Sequence, residues 1–540
     1  MKRHGYISDK EYNLAKKMTV DKLLKQTTGD ANKYQAFLDT VIEDVQDKTG
    51  QNPYNVAMKI YTTMDPDKQQ YIDNVMNGKT FTWENDKVNA GISVIDVKTG
   101  AIVAVGAGRN RTGERSFNTA TMIKSQIGST AKPLYDYAMG IEKKGWSTYE
   151  PFADEPHSYS GTGDNIDNWN RTFQGWMTLR GAITESRNIP ALKAFQANSK
   201  KDIKTFVESV GLSPEYENGV LHEAHALGGY NGESPLTLSA AYASFASGGY
   251  YTKPYSFTKI IYRNNNKAFE TEIKRNKVLS PETSYMMSDV LYSAATWGIG
   301  TNSTNNGAKF GAKTGTSNFD EQVFKNYDFP NNAVNDLWVA GISPDYSISV
   351  WYGYDKINKD YVSTSNTSGH RRLFLKVANG IFKTGSTFTR PAGVSDVTVE
   401  NYTYPAKLPS ANTPADLKIT ELFKKGTEPT EVSKRFDTLD SVKNPKSSLA
   451  GNTVTLTWDK VNPAAFDTSW VSRVFSDSGY ANNFIGTLNN YNASRVGTFG
   501  YNVYTKNSNG TLSLIDFVTT NKISFTVKSS DTGSYVIKSS

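Results

Sequence analysis

Cysteine is absent from all 540 residues, which removes disulfides, thiolate nucleophiles and cysteine-bound metals together. Histidine occurs five times and leaves little room for imidazole chemistry. His222 and His225 stand three apart in LHEAHAL, whereas the helical zinc pattern H-E-x-x-H needs a spacing of four; no metal site and no cofactor is expected. Long hydrophobic runs are missing too, since no window approaches the roughly 18 to 20 unbroken apolar residues of a membrane helix. Nor does one sign of charge dominate. Lys and Arg outnumber Asp and Glu by 60 to 53 without a long basic block, which makes no case for nucleic acid.

What the chain does have is length, enough for two or three domains, and a hydrophobic share of 37% with 12% aromatics, enough for packed cores. In KYQAFLDTVIEDVQDKTG the apolar residues from Tyr34 to Val45 recur at helical spacing and Gly50 sits at the end. VAMKIYTTMD reads as a strand, with Asp65 and Pro66 as cap and first residue of a second helix. AGISVIDVKTGAIVAVGAG reads as a hairpin turning at Asp96 to Gly100. Residues 117 to 310 read as largely helical, ESPLTLSAAYASFASGG among them, and strands return in FGAKTGTS, DLWVAGIS and SISVWYGYD. A sheet made of early and late segments with helices between them predicts an α+β domain. Residues 391 to 450 are rich in Pro, Lys, Thr and Ser, with a linker expected in PAKLPSANTPADL. Beyond it TVTLTW, YNVYTK, SLIDFVTT, ISFTV and SYVIKSS predict a small all-β module, with Trp458, Trp470, Tyr501 and Tyr504 read as core in preference to a carbohydrate platform. The boundaries expected are 1–75 for a linker region, 76–390 for the α+β domain, and 391–540 for linker and β module.

Without Cys and with scarce His, a serine nucleophile needs another base, and lysine serves if burial or neighbouring cations lower its pKa. In SQIGSTAKPLYDYAMG, Ser129 and Lys132 stand three apart at the start of a helical run, which puts both on one face. Taken alone, the pair reads equally as a helix cap beside a solvated lysine. Ser186 and Asn188 lie between two apolar helical segments in TLRGAITESRNIPALKAF, where a satisfied inter-helix hydrogen bond is the alternative. Lys-Thr-Gly occurs four times, at Lys48, Lys98, Lys313 and Lys383. Only the third copy lies in a strand among small residues: Lys313, Thr314, Gly315 and Thr316 form an edge that an extended peptide can pair with, offering a cation for a carboxylate.

The order Ser129-x-x-Lys132, Ser186-x-Asn188, Lys313-Thr314-Gly315 resembles the motif set of the penicillin-binding proteins. The flanking stretches RSFNTAT, SPLTLSAAYASFASGGYYTKP and DLWVAGISPDYSISVWYGYD extend that likeness over residues 54 to 385. The chain resembles the transpeptidase part of a class A, bifunctional penicillin-binding protein of the Gram-positive 1b type. MKRHGYISDKEYNLAKK is similar to the tail of the glycosyltransferase domain of that class. The resemblance implies a truncated ectodomain lacking glycosyltransferase activity, at the extracytoplasmic face of a membrane, with its anchor before Met1.

It also implies the penicillin-binding fold, an antiparallel sheet with helices on its faces plus a helical subdomain, and a D,D-transpeptidase that cross-links peptidoglycan stem peptides. In the roles it implies, Ser129 attacks the penultimate D-Ala carbonyl, Lys132 takes the proton, Ser186 relays one to the leaving D-Ala, and Asn188 orients Lys132 and the substrate amide. Lys313 supplies charge, Thr314 and Thr316 bind the substrate carboxylate on the strand that Gly315 opens, and the Ser129 and Thr316 N–H groups form the oxyanion hole. Implied partners are D-Ala-D-Ala donor and amine acceptor stems, β-lactams that acylate Ser129, and cell-wall assembly proteins. The alternatives are a D,D-carboxypeptidase, a β-lactamase, and a non-catalytic penicillin-sensing receptor or scaffold.

Overall fold

The computed structural model describes residues 2–4, 7–17, 33–109, 111, 116–216, 218–263, 266–364, 369–463, 466–528 and 533–540. Met1, Gly5, Tyr6 and Arg115 of the stretches quoted above lie outside the described residues.

The hairpin read from the sequence is the start of the central sheet. β1 (Asn89–Asp96) and β2 (Ile102–Gly106) pair antiparallel, and Asp96 Oδ1 accepts from the Lys98 and Thr99 N–H groups at 3.0 and 2.9 Å to close the turn. The second Lys-Thr-Gly is therefore turn chemistry, as its context predicts. β3 (Gly311–Ser317), β4 (Asp336–Ile342) and β5 (Tyr346–Gly353) complete a five-stranded antiparallel sheet in the order β3-β4-β5-β1-β2. The third Lys-Thr-Gly thus lies on an edge strand.

Both faces of this sheet are covered, so β4 and β5 are buried at every residue. Alternation along β4 sends Trp338, Ala340 and Ile342 into one core with α3 (Pro235–Ala246) and α4 (Pro281–Gly298), and Leu337 and Val339 into another with α2 (Pro66–Met76) and α5 (Gly369–Ile381). The helix ends carry the signals read from the sequence. Asp65 caps α2 ahead of Pro66, and Ser234 with Thr237 forms a capping box on α3. α1 (Gln35–Thr49) ends at Gly50 with φ +66° and packs Phe37, Val41 and Val45 against Ile95, Val97 and Ile102, so it shares a core with the sheet.

Two expectations need correction. Residues 117–310 are interrupted by short strand pairs, Pro151–Asp154 with Gly175–Thr178 and Tyr250–Thr252 with Arg275–Lys277, while Phe257–Tyr262 pairs with Met58–Thr62. The pairs of three or four residues leave no periodicity that a sequence window can register, whereas YSFTKIIY and VAMKIYTTMD alternate as strands do and are strands. PAKLPSANTPADL is not a free linker: it joins Val394–Glu400 to Lys418–Lys424, which pair antiparallel, and the Glu400 carboxylate accepts from Thr413 and Ser433 at 2.6 and 2.8 Å. Polar composition here reflects buried hydrogen bonding, with Leu417 and Leu422 in the interior.

The five C-terminal segments read as strands are strands, and with Lys446–Ala450 they form two three-stranded sheets around Val454, Leu456, Trp458, Tyr501 and Val503. Between Thr457 and Tyr501 the chain leaves them for two helices, Val471–Val474 and Ser478–Val496. There Trp470, Phe475 and Leu488 pack with Ala153 and Trp176 in a separate cluster. Trp470 is core, but not of the β sheets.

At Gly341 α5 lies close against the sheet: a Cβ there would meet the Phe374 ring at 2.3 Å. Gly341→Ala is expected to cost about 1–3 kcal/mol by overpacking, read as a lower urea midpoint with an unchanged m-value.

Candidate active site

Three glycines bring three chain segments together at backbone distance. A Cβ on Gly128, at φ +52°, would lie 2.2 Å from the Thr316 carbonyl oxygen; on Gly315, 2.2 Å from that of Ile127; on Gly228, 2.3 Å from that of Gly128. The turn that carries Ser129 is therefore pressed between the β3 edge and the 228–232 loop. Gly315 does open the strand to close approach, as its sequence context suggests, but the approaching backbone is the chain's own. Asp336, at the head of β4, locks the arrangement by accepting from Ser125 Oγ, from Ser317 Oγ at 2.8 Å and from Trp351 Nε1 at 2.7 Å.

The helical run expected at Ser129 is irregular. Gly128–Ala131 is a 3-10 turn, and Pro133–Tyr137 is a π turn in which the Ala138 N–H donates to the Pro133 carbonyl. Tyr242 of α3 holds it by donating to the Thr130 carbonyl at 2.7 Å. Ser129 is partly exposed, and its hydroxyl has no hydrogen-bond partner among the described residues. Lys132 points to the second motif instead: Nζ donates to the Ser186 carbonyl at 2.6 Å and to Asn188 Oδ1 at 2.7 Å, and lies 3.4 Å from Ser186 Oγ. The Asn188 amide is oriented by its own donation to the Asp167 carbonyl at 2.7 Å.

Ser186 takes a left-handed conformation, φ +57°. It closes the helix Leu179–Thr184 in a Schellman arrangement, with Ser186 N–H donating to the Ile183 carbonyl at 3.1 Å and Arg187 N–H to that of Ala182 at 3.0 Å. Glycine is usual at this position; here a side chain is kept, and its hydroxyl accepts from Lys313 Nζ at 2.7 Å. One serine hydroxyl thus stands between two lysine nitrogens. The next helix begins at Asn188 itself, so Asn188 opens a helix and does not lie in a loop between two.

Arg187 anchors this loop from below. It is fully buried with Asp154, whose Oδ2 accepts from Arg187 Nε at 2.8 Å and Nη2 at 2.7 Å. Asp154 Oδ1 accepts from Asn168 Nδ2 at 2.6 Å, and Asn168 Oδ1 accepts from the Asn188 N–H at 2.8 Å. Asp154, Asn168 and Arg187 were not singled out from the sequence. Arg187 lies inside the quoted motif, but a lone buried cation has no local signature, and its partner is 33 residues away.

Burial is the first cause of both lysine shifts. It lowers the Lys132 pKa to about 7, with Asp136 and Asp154 pulling upward and Arg187 pushing down. Burial pushes Lys313 well below its ordinary range, and the nearby positive charges of Lys132 and Arg371 add to the effect. Lys132 is thereby a usable base near neutral pH. The register of β3 places Lys313 opposite Ala340 and Gly315 opposite Trp338, on the Ser129 side, whereas Thr314 and Thr316 face the α5 side opposite Val339 and Leu337. Among the described residues no cluster of three or more His, Asp or Glu could hold a metal, and no helix is long and apolar enough to cross a membrane.

Comparisons with known proteins place the chain in a family. Residues 90–381 match the family model of the penicillin binding protein transpeptidase domain, and residues 390–438 match that of the penicillin-binding protein 1A C-terminal domain. Penicillin-binding protein 1A/1B of Bacillus subtilis is 36% identical over 86% of this chain and 52% of its own length. Penicillin-binding protein 1A of Streptococcus pneumoniae is 30% identical over 66% of this chain and 51% of its own length. The chain thus spans about half the length of these curated relatives. Among solved structures, penicillin-binding protein 1A from Haemophilus influenzae has a similar fold, with a TM-score of 0.59 at 19% identity over 80% of this chain and 81% of that one.

Removing one member of the buried ion pair leaves the other uncompensated. Asp154→Ala is expected to destabilise the protein by about 3–5 kcal/mol, seen as a lower melting temperature, whereas Asp154→Asn, which keeps the Asn168 contact partner, loses less.

Proposed function

Because the chain belongs to the penicillin-binding protein transpeptidase family, we propose that it is a serine D,D-transpeptidase that cross-links peptidoglycan stem peptides through an acyl-enzyme on Ser129. The observation that carries this reading is the Ser186 hydroxyl held between two buried, weakly basic lysines, at 3.4 Å from Lys132 and 2.7 Å from Lys313, beside an edge strand and a turn that exposes a free serine.

In the proposed sequence, Ser129 Oγ attacks the carbonyl of the penultimate D-Ala while its proton passes to Lys132, which is available as a base because burial has lowered its pKa to about 7. The N–H groups of Ser129 and Thr316 hold the oxyanion that forms. When the C–N bond to the terminal D-Ala breaks, the leaving nitrogen takes a proton from Ser186 Oγ, which is replenished from Lys132 or Lys313. An amine of a second stem then attacks the ester and loses its proton back along the same chain of groups, forming the cross-link and restoring Ser129. Thr314 and Thr316 receive the substrate carboxylate on the edge strand, and Asn188 orients Lys132 and the substrate amide.

A β-lactam presents the same acyl carbon, and its adduct should persist. The β-lactamase alternative needs a base to activate water for deacylation, and Glu185, adjacent to the second motif, has its carboxylate engaged by Gln174 Nε2. We assign the reaction to residues 76–390, and the site of action to the extracytoplasmic face of a membrane.

Intact-protein mass after mixing with benzylpenicillin is expected to show one persistent adduct, absent in Ser129→Ala. Loss of the adduct within seconds would indicate a β-lactamase, and no adduct at all a scaffold. Acylation should also be pH-dependent in a defined direction. Below about pH 7 Lys132 carries a proton and cannot accept another, so the second-order rate should rise with pH through that value and then level off. Lys132→Ala should lose about 100- to 10,000-fold at the plateau.

A further inference from the structure

We propose that Arg371, on α5, completes a carboxylate-binding site with Thr314 and Thr316 of β3 and receives the anionic end of the stem peptide or of a β-lactam. The proposal rests on the transpeptidase reading and extends it to a residue outside the three motifs.

Placement comes from the helix. α5 begins at Gly369, where a Cβ would touch the Tyr352 ring at 2.2 Å, and by Phe374 it lies over Gly341, with the Phe310 ring centroid 5.6 Å from that of Phe374. Tyr352 is opposite Leu337, which is opposite Thr316, and Gly341 is opposite Ala312. The helix axis therefore runs from the Thr316 row of the sheet toward the Ala312 row. Arg371 is one turn before Phe374 on the same stripe, the stripe that reaches toward the β3 side at Phe310. This puts it at the level of Thr314 and Thr316, on the face of β3 that those two threonines occupy. Arg372 leaves in another direction, donating to the Thr82 carbonyl at 2.6 Å and lying over the Phe81 ring.

Arg371 has no internal reason to be there. It is half-buried, its Nε is shielded from solvent without a hydrogen-bond partner, and among the described residues no carboxylate or aromatic ring pairs with it. Its neighbour His370 is buried with a pKa lowered to about 3, hence neutral, and contributes no compensating charge. Meanwhile Arg371 lies close enough to Lys313 to disfavour that lysine's charged form, as Lys132 also does. Three basic groups converge on the third motif, and no acid is placed against Lys313 or Arg371. A planar guanidinium matches a carboxylate with two parallel hydrogen bonds, so the ligand chemistry that resolves this excess of charge is a carboxylate.

The test compares acylation by benzylpenicillin with acylation by its neutral methyl ester, in the wild type and in Arg371→Ala, Arg371→Gln and Arg371→Lys. If the site is as proposed, Arg371→Ala slows the free acid about 10- to 100-fold and leaves the ester rate within about twofold, while Arg371→Lys retains part of the preference. Equal losses for acid and ester would show a structural role, and unchanged rates would show no contact; either overturns the proposal. Should Arg371→Ala fail to fold, the Gln and Lys variants carry the same comparison. Failure of the underlying reading is distinguishable, because then the wild type forms no Ser129 adduct with either compound.

Discussion

Two buried lysines share one serine hydroxyl, and much of the surrounding structure makes that tolerable. An ammonium group withdrawn from water costs several kcal/mol even after relaxation, and two of them around one oxygen also repel. Lys132 and Lys313 are 0% and 3% exposed, so burial favours the uncharged form of both nitrogens. That is how a chain with no cysteine and five histidines obtains a general base. The same burial that penalises the charge supplies the reactivity, and no separate activating group is required.

Holding Ser186 between the lysines has its own cost. A non-glycine residue in the left-handed region is disfavoured by about 1–2 kcal/mol, and a glycine in the same Schellman closure would relieve it but would remove the hydroxyl. The two closing hydrogen bonds and the Arg187–Asp154 pair offset that strain from opposite sides of the loop. The arrangement depends equally on absence of bulk. Gly128, Gly228 and Gly315 sit where any Cβ would overlap a neighbouring backbone, and this sets the distance between the Ser129 turn and β3 to a value that side chains could not give.

The parts of this architecture written in local sequence were readable there. Alternation in DLWVAGIS, the Asp65-Pro66 cap and the five C-terminal strands each depend on residues within a few positions of one another. The three motifs were readable because their spacing resembles a known family. What the sequence did not disclose is what distance hides. Asp154 and Arg187 find each other only in the fold, the left-handed Ser186 looks like any serine between helices, and a Pro-rich stretch that reads as a linker is ordered by the buried carboxylate of Glu400. The 3-10 and π turns around Lys132 were also invisible, because Ser-x-x-Lys has the same spacing in a regular helix.

One consequence reaches across the chain. The second motif is braced from below by Asp154 and Asn168, in the 151–178 segment, and that segment is itself braced from outside. Ala153 and Trp176, on its paired strands, pack with Trp470, Phe475 and Leu488 of the C-terminal helices. Glu155, next to Asp154, accepts from the Ser476 and Asp477 N–H groups at 2.6 and 3.1 Å and from Lys193 of the helix that begins at Asn188. A carboxylate meeting backbone N–H groups just ahead of the Ser478–Val496 helix is also favourably placed against that helix's dipole. The C-terminal helices therefore contact the same short segment that positions Ser186 and Asn188. Composition separates this region from the α+β domain, but its packing makes it part of the wall on which the second motif stands.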